Sequence, residues 1–180
     1  MSGDGQEITI PGLAEDGTLY RVEKLEAHRR GLFHLAISVF VCDGEQVLLQ
    51  RRALGKYHCG GLWANACCTH PHFGETPEAA APRRMVEELG VTLPMEPRGV
   101  VDYRADVGNG LVENERVHLF LAETDAASLA LDPNPEEVME TRWASRDALR
   151  AEIAAHPERF TPWMRIYMAE HQGLIFDRAA

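Results

Sequence analysis

The sequence predicts an α/β (α+β) protein, a mixed-sheet sandwich flanked by helices. Three observations carry this expectation. Apolar, β-branched runs at 34–42 and 46–52 flank Asp43-Gly44, a two-residue hairpin signal. A capped helical pattern between Thr76 and Gly90 interrupts the strands. A strand-like stretch at 112–122 resumes them and amphipathic segments close the chain, so the order is strands, helix, strands, helices.

With 180 residues, 45% of them apolar and 26% charged, the chain reads as one soluble globular domain spanning 1–180, with no internal repeat or second core. Residues 1–18 read as an N-terminal extension, 19–165 as the core, and 166–180 as the end of the last helix and a tail. No apolar run approaches the roughly 20 residues that span a bilayer. The polar start lacks the basic and apolar regions of a secretory signal. A cytoplasmic protein without a membrane partner is therefore expected. A net charge of −10 argues against nucleic acid, yet a local cationic pocket on an acidic protein can still hold a small phosphorylated ligand. Cys42, Cys59, Cys67 and Cys68 have neither disulfide-framework nor zinc spacing.

Taken in order, residues 6–22 read as two short strands about Glu15-Asp-Gly17. Glu23 to Gly31 is a short helical turn closed by glycine. His34–Cys42 and Gln46–Arg52 are antiparallel strands. Residues 53–62 form a loop carrying Lys56, and the next stretch continues as a loop presenting Cys68 and His70. Thr76-Pro77-Glu78 starts a helix with a capping hydroxyl, a proline at the first position and an acid in the first turn. Pro82 either kinks this helix or delays its regular part to about Ala81. Strands follow near 97–103, 112–122 and 138–143, then helices near 145–155 and 161–171.

The chemistry-bearing residues gather around 63–91. Arg84 and Glu88 are four apart on one helix face. They form either a plain ion pair, or a carboxylate holding a divalent ion beside a guanidinium holding the phosphates that ion bridges. Glu113 and Glu115 are two apart, and so project from one side of a strand, where two like charges make sense around a cation. With His28, His34 and His70 they would give five or six ligands of mixed hardness, suited to manganese, magnesium or zinc. His58, His72, His118, His156 and His171 read as solvent-facing or capping. Cys68, two residues from His70, reads as a thiol that a nearby cation could bias toward thiolate. Cys42, Cys59 and Cys67 read as packing. Trp163 is either core or a ring face for a cationic intermediate.

Asn65-Ala-Cys-Cys-Thr-His-Pro71, Arg83-Arg84-Met-Val-Glu-Glu-Leu-Gly90 and Val112-Glu-Asn-Glu115 resemble the type I isopentenyl-diphosphate isomerases, a branch of the Nudix superfamily. The likeness runs from about Leu19 to Trp163 and includes Glu26-Ala-His28, His34, Gln50-Arg51-Arg52-Ala-Leu and Thr161-Pro-Trp163. On the Nudix pattern the chain offers Thr69, Glu75, Arg83, Arg84, Glu87, Glu88 and Gly90. Thr69 stands in place of the leading glycine and Arg84 in place of a glutamate that Nudix hydrolases use around their metals. The second exchange removes a metal ligand and adds a phosphate clamp, favouring an isomerase.

The resemblance implies a Nudix-like sandwich and the interconversion of isopentenyl and dimethylallyl diphosphate in isoprenoid biosynthesis. It implies that His28, His34, His70, Glu113 and Glu115 bind one divalent metal (Mn²⁺, Mg²⁺ or Zn²⁺). Glu88 and the backbone near Cys68 would place Mg²⁺ on the prenyl diphosphate substrate. Lys24, Arg52, Lys56 and Arg84 would bind that diphosphate. Cys68 and Glu115 would exchange protons with the alkene, Tyr103 would hydrogen-bond Glu115, and Trp163 would cover the cation. A Nudix hydrolase and a metal-stabilised binding domain are the rival readings, and monomer and homodimer both stay open.

Overall fold

The computed structural model describes residues 8–177. Strands β1 (Thr9–Leu13) and β2 (Leu19–Glu23) pair antiparallel, and α1 (Lys24–Arg30) follows directly. Glu23 caps α1 by accepting from Leu25 N and Glu26 N, while Gly31 ends it at φ 61°, a left-handed conformation that glycine adopts without steric cost. Next come β3 (His34–Asp43), β4 (Gln46–Arg52), β5 (Trp63–Asn65) and β6 (Cys67–Thr69). Helix α2 (Pro77–Leu89), the long hairpin β7 (Glu96–Gly108) and β8 (Leu111–Glu123), and β9 (Val138–Ser145) complete the sheet region. The chain closes with α3 (Arg146–Ala155), a 3₁₀ turn at Pro157–Arg159, α4 (Pro162–Glu170) and α5 (Gln172–Phe176).

Nine strands among the described residues share one mixed sheet centred on β3. β8 runs parallel to β3 with His34 opposite Glu115, and β6 runs antiparallel on it with Ser38 opposite Cys68. Strand alternation splits the core into two layers. Ala36, Phe40 and Cys42 of β3 pack with Leu149, Met164, Tyr167 and Ile175 on the side of α3, α4 and α5. Ile37, Val39 and Val41 pack with Ala80, Ala81, Met85 and Leu89 of α2 on the other. His34 and Ser38 have the parity of Phe40, so they face the α4 side. The same rule sends Cys67 toward α2 and Cys68 toward α4.

Several expectations need correction. The stretch presenting Cys68 is not a loop, because β5 pairs with β4 and β6 with β3. Helix α2 is continuous from Pro77 despite Pro82; the partner it deprives is Glu78, an exposed residue. β7 begins and ends beyond its expected limits, since its partner β8 is equally long. β1, assigned to an extension before the core, bridges β3 at Gly12–His34. Expectations on residues 1–7 and 178–180 lie outside the described residues.

Candidate functional site

α1 delivers His28, the head of β3 delivers His34, the end of β6 leads to His70, and β8 delivers Glu113 and Glu115. All five side chains are buried, and one ligand atom from each lies within 4.8 Å of the others. The backbone sets the imidazole tautomers. His28 Nδ1 donates to Lys24 O at 2.6 Å and His34 Nδ1 to Leu32 O at 2.7 Å. A carbonyl only accepts, so in the neutral rings both Nε2 atoms are bare and point inward. His28 Nε2 lies 3.2 Å from Glu113 Oε2, and His34 Nε2 lies 3.3 Å from Glu115 Oε1 and 3.2 Å from His70 Nε2. Glu113 Oε2 has no hydrogen-bond partner. Lone pairs converging on lone pairs in a buried space call for a cation between them. The donor set thus fits one divalent ion.

Electrostatics agree. Burial works to raise the Glu115 carboxyl, but its contacts with His34 and the hydrogen bond from Tyr103 help draw it down to about 2. Glu113 is likewise held below the usual carboxylate range against its burial by His28 and His58. Burial and the neighbouring His34 and His28 push His70 well down, whereas Glu115 and Glu113 outweigh burial and raise His34.

A pocket adjoins this cluster, lined by Lys24, Arg52, Lys56, Cys68, Tyr103 and Trp163 among others. The Cys68 thiol donates to Asn65 Oδ1 at 2.8 Å and lies 3.1 Å from Ser38 Oγ, which is 2.8 Å from Tyr167 OH. Burial pushes Cys68 up to about 12, with the Ser38 contact pulling the other way. Cys68 is half-buried and lines the pocket, and among these groups its burial favours the protonated thiol. Tyr103 OH donates to Glu115 Oε2 at 2.8 Å. Trp163 is buried, with the Arg52 guanidinium 5.2 Å from its ring.

Lys24, Arg52 and Lys56 gather at the pocket. Burial first, and then Lys56, Arg84 and Arg52, lower Lys24 to about 8 despite Glu113. Arg84 sits on the α2 side, donating to Glu87 Oε2 at 2.7 Å and to Glu88 Oε1 at 2.5 Å. Gln50 Nε2 bridges Glu88 Oε2 at 2.8 Å and Ala66 O at 2.7 Å. The plain ion pair of Arg84 and Glu88 therefore exists. Glu88 lies outside the five-residue cluster, next to the backbone that leads into Cys67 and Cys68.

A NUDIX domain model matches residues 32–164. An isopentenyl-diphosphate Delta-isomerase of Cereibacter sphaeroides (strain KD131 / KCTC 12085) is 58% identical over 170 residues, 94% of this chain and 95% of that protein. Its namesake in Rhodobacter capsulatus is 55% identical over 171 residues, with 94% and 96% covered. The chain belongs to the Nudix family, in its isopentenyl-diphosphate Delta-isomerase branch.

Solved structures align with it at low identity. DR0079 of Deinococcus radiodurans superposes with a TM-score of 0.74 at 17% identity, covering 91% of this chain and 99% of that one. A MutT Nudix hydrolase of Burkholderia pseudomallei gives 0.60 at 22%, covering 78% and 98%. The Nudix helix is α2. Arg83 clamps Glu75 through Nε–Oε1 at 2.6 Å and Nη2–Oε2 at 2.7 Å, tying the loop before α2 to its second turn. No helix among the described residues is long and apolar enough to cross a membrane.

The sequence reading missed four neighbours of this Nudix site. His58, set aside as solvent-facing, is buried with Nε2 2.7 Å from Glu113 Oε1, and neither ring nitrogen has an aligned hydrogen-bond partner. Tyr57 OH approaches His28 Nε2 at 3.4 Å. Ser38 and Tyr167 support Cys68. Ser38 is signalled by a hydroxyl inside an apolar strand, on the face of His34, and Tyr167 by its spacing of four from Trp163. His58 and Tyr57 lie in an aperiodic loop that carries no such signal.

Proposed function

We propose that this chain interconverts isopentenyl and dimethylallyl diphosphate through Cys68 and Glu115. One observation carries the proposal: a proton-bearing thiol and an ionised carboxylate face one pocket that also collects Lys24, Arg52 and Lys56. Moving the double bond requires a proton to be added at the terminal alkene carbon, giving a tertiary cation, and another to be removed from the carbon two bonds away. One acid and one base suffice. Because the reaction is reversible, each group gives a proton in one direction and takes one in the other. β6 brings Cys68 to one flank of β3 and β8 brings Glu115 to the other, so an acid and a base line one pocket from two sides.

Supporting residues follow from their contacts. Ser38 and Asn65 hold the Cys68 sulfur, and Tyr103 orients Glu115. The Trp163 ring covers the cation, and with Tyr167 it keeps out water that would trap it as an alcohol. Lys24, Arg52, Lys56 and Arg84 bind the diphosphate. His28, His34, His70, Glu113 and Glu115 would hold one divalent ion, Mn²⁺, Mg²⁺ or Zn²⁺, and Glu88 with the backbone near Cys68 would help place Mg²⁺ on the diphosphate; these ions would supply charge neutralisation, and the first would fix Glu115. The hydrolase alternative loses ground because Arg84 pairs with Glu87 and Glu88, neutralising carboxylates of the Nudix helix. Four free cysteines support a cytoplasmic setting.

The test is turnover of isopentenyl diphosphate by C68A and E115Q proteins shown to be folded and metal-loaded. Both are expected to lose activity by ~10³-fold or more. Near-normal turnover in either contradicts the assignment.

A further inference from the structure

Glu137 places a carboxylate among the cations that the isomerase reading gives to the diphosphate. It lies just before β9, in a segment fixed by its backbone. Glu137 N donates to Asn134 O at 2.9 Å and Ala53 N donates to Glu137 O at 2.9 Å. Its side chain is held differently. The single oxygen Oε2 accepts from Lys56 Nζ and lies 3.4 Å from Arg84 Nη2, so it bridges two elements much as a phosphate oxygen would. Burial works to raise this carboxyl, yet Lys56, Arg84 and Lys24 hold it below its usual range. Three of the four assigned diphosphate cations therefore act on one acidic side chain.

The other acids near Arg84 are placed for different work. Glu88 is buried and fastened through Gln50 to the backbone of Ala66. Glu87 is exposed and also takes up Arg83. Among the described residues, Glu137 alone spans Lys56 and Arg84. A diphosphate brings more charge and more acceptor oxygens than a carboxylate, and so outcompetes it for both cations. A carboxylate left beside the bound anion would repel it.

We propose that Glu137 is the resident counter-anion of the diphosphate pocket: it neutralises Lys56 and Arg84 in the free protein and yields them to the arriving diphosphate. In doing so it weakens the hold on substrate and product and eases product release. This rests on the isomerase reading of the site, which the same experiment tests separately. Glu137 is a positioning residue, since it touches the binding cations and not the reacting carbons.

The experiment is calorimetric titration of inorganic pyrophosphate, in excess Mg²⁺, into wild-type, E137Q and E137D proteins, alongside steady-state turnover of isopentenyl diphosphate. E137Q keeps the backbone contacts and the side-chain shape. It is expected to bind pyrophosphate about tenfold tighter, with KM falling in parallel and kcat not rising. Its affinity should also fall more steeply with added KCl, because one negative charge fewer opposes the ligand among these cations. E137D, with a retracted carboxylate, should fall between the two. Equal or weaker binding by a folded E137Q overturns the proposal. If E137Q does not fold, E137D decides: tighter binding than wild type supports the proposal and equal or weaker binding overturns it. A wild-type protein that binds no pyrophosphate and turns over no substrate overturns the isomerase reading and this one with it. Wild-type binding and turnover without the E137Q gain overturns this one alone.

Discussion

At the residue scale, the site turns buried polar atoms toward one another in a cluster that could hold a metal ion. The readable part was the set of residue types. His28, His34, His70, Glu113 and Glu115 could be picked as mixed ligands, and all five converge. The thiol state of Cys68 was not readable, because it follows from a burial that only the fold creates, with Ser38 alongside pulling the other way. His58 shows the same limit. Its Nε2 faces Glu113 Oε1, so that Oε2 faces the cluster. Replacing His58 by Phe keeps a ring against Trp163, which lies 5.7 Å away between centroids, but frees Glu113 to rotate. The H58F protein should bind its divalent metal ~10-fold more weakly in a chelator competition, with little change in melting temperature. Unchanged metal affinity would remove His58 from the site.

At the element scale, caps and turns were legible because they are local. Thr76, Pro77 and Gly90 delimit α2 in the sequence and in the structure. Three-residue strands such as β5 and β6 were not, because their pairing comes from β3 and β4 and no periodicity fits in so short a run. Gly90 has a second duty beyond its φ of 68°: a Cβ there would meet Asp132 Cβ and Asp132 O at 2.8 Å. G90A should therefore destabilise the protein by about 1–3 kcal/mol in urea unfolding, more than the left-handed backbone alone would cost. An effect below ~0.5 kcal/mol would show that the 131–138 segment gives way freely.

The Glu75–Arg83 clamp adds a pH signature at the same scale. Arg83 holds the Glu75 carboxyl below its ordinary 4.5 through their hydrogen bonds, against a smaller opposing effect of burial. A depressed carboxylate stabilises the fold at pH above 4.5, and that contribution disappears as pH falls through the lower folded value. E75Q should melt ~1–3 °C below wild type at neutral pH, and the gap should close in acid. A gap independent of pH would assign the effect to shape and not to charge.

At the scale of the whole molecule, the sheet does the assembling. β3 holds His34 and Ser38 on one face, while β6 and β8 carry Cys68 and Glu115 to its two sides. The strand–helix order was legible from the sequence, and so was the sandwich. The parallel pairing of β3 with β8 was not, because residues about eighty apart in the chain carry no local mark of their register. That pairing is what makes a five-ligand cluster out of scattered residues. The free space in the pocket is about 20 Å³, comparable with room for one water. A closed, dry pocket is what a water-sensitive cation requires.

The central claim is that this pocket protonates and deprotonates an alkene without breaking a phosphate bond. Proton NMR of isopentenyl diphosphate with the metal-loaded protein in D₂O tests it most directly. The account predicts that dimethylallyl signals grow, that deuterium enters the carbon skeleton, and that no phosphate is released. Released phosphate, or a substrate that stays protonated and unchanged, would contradict it.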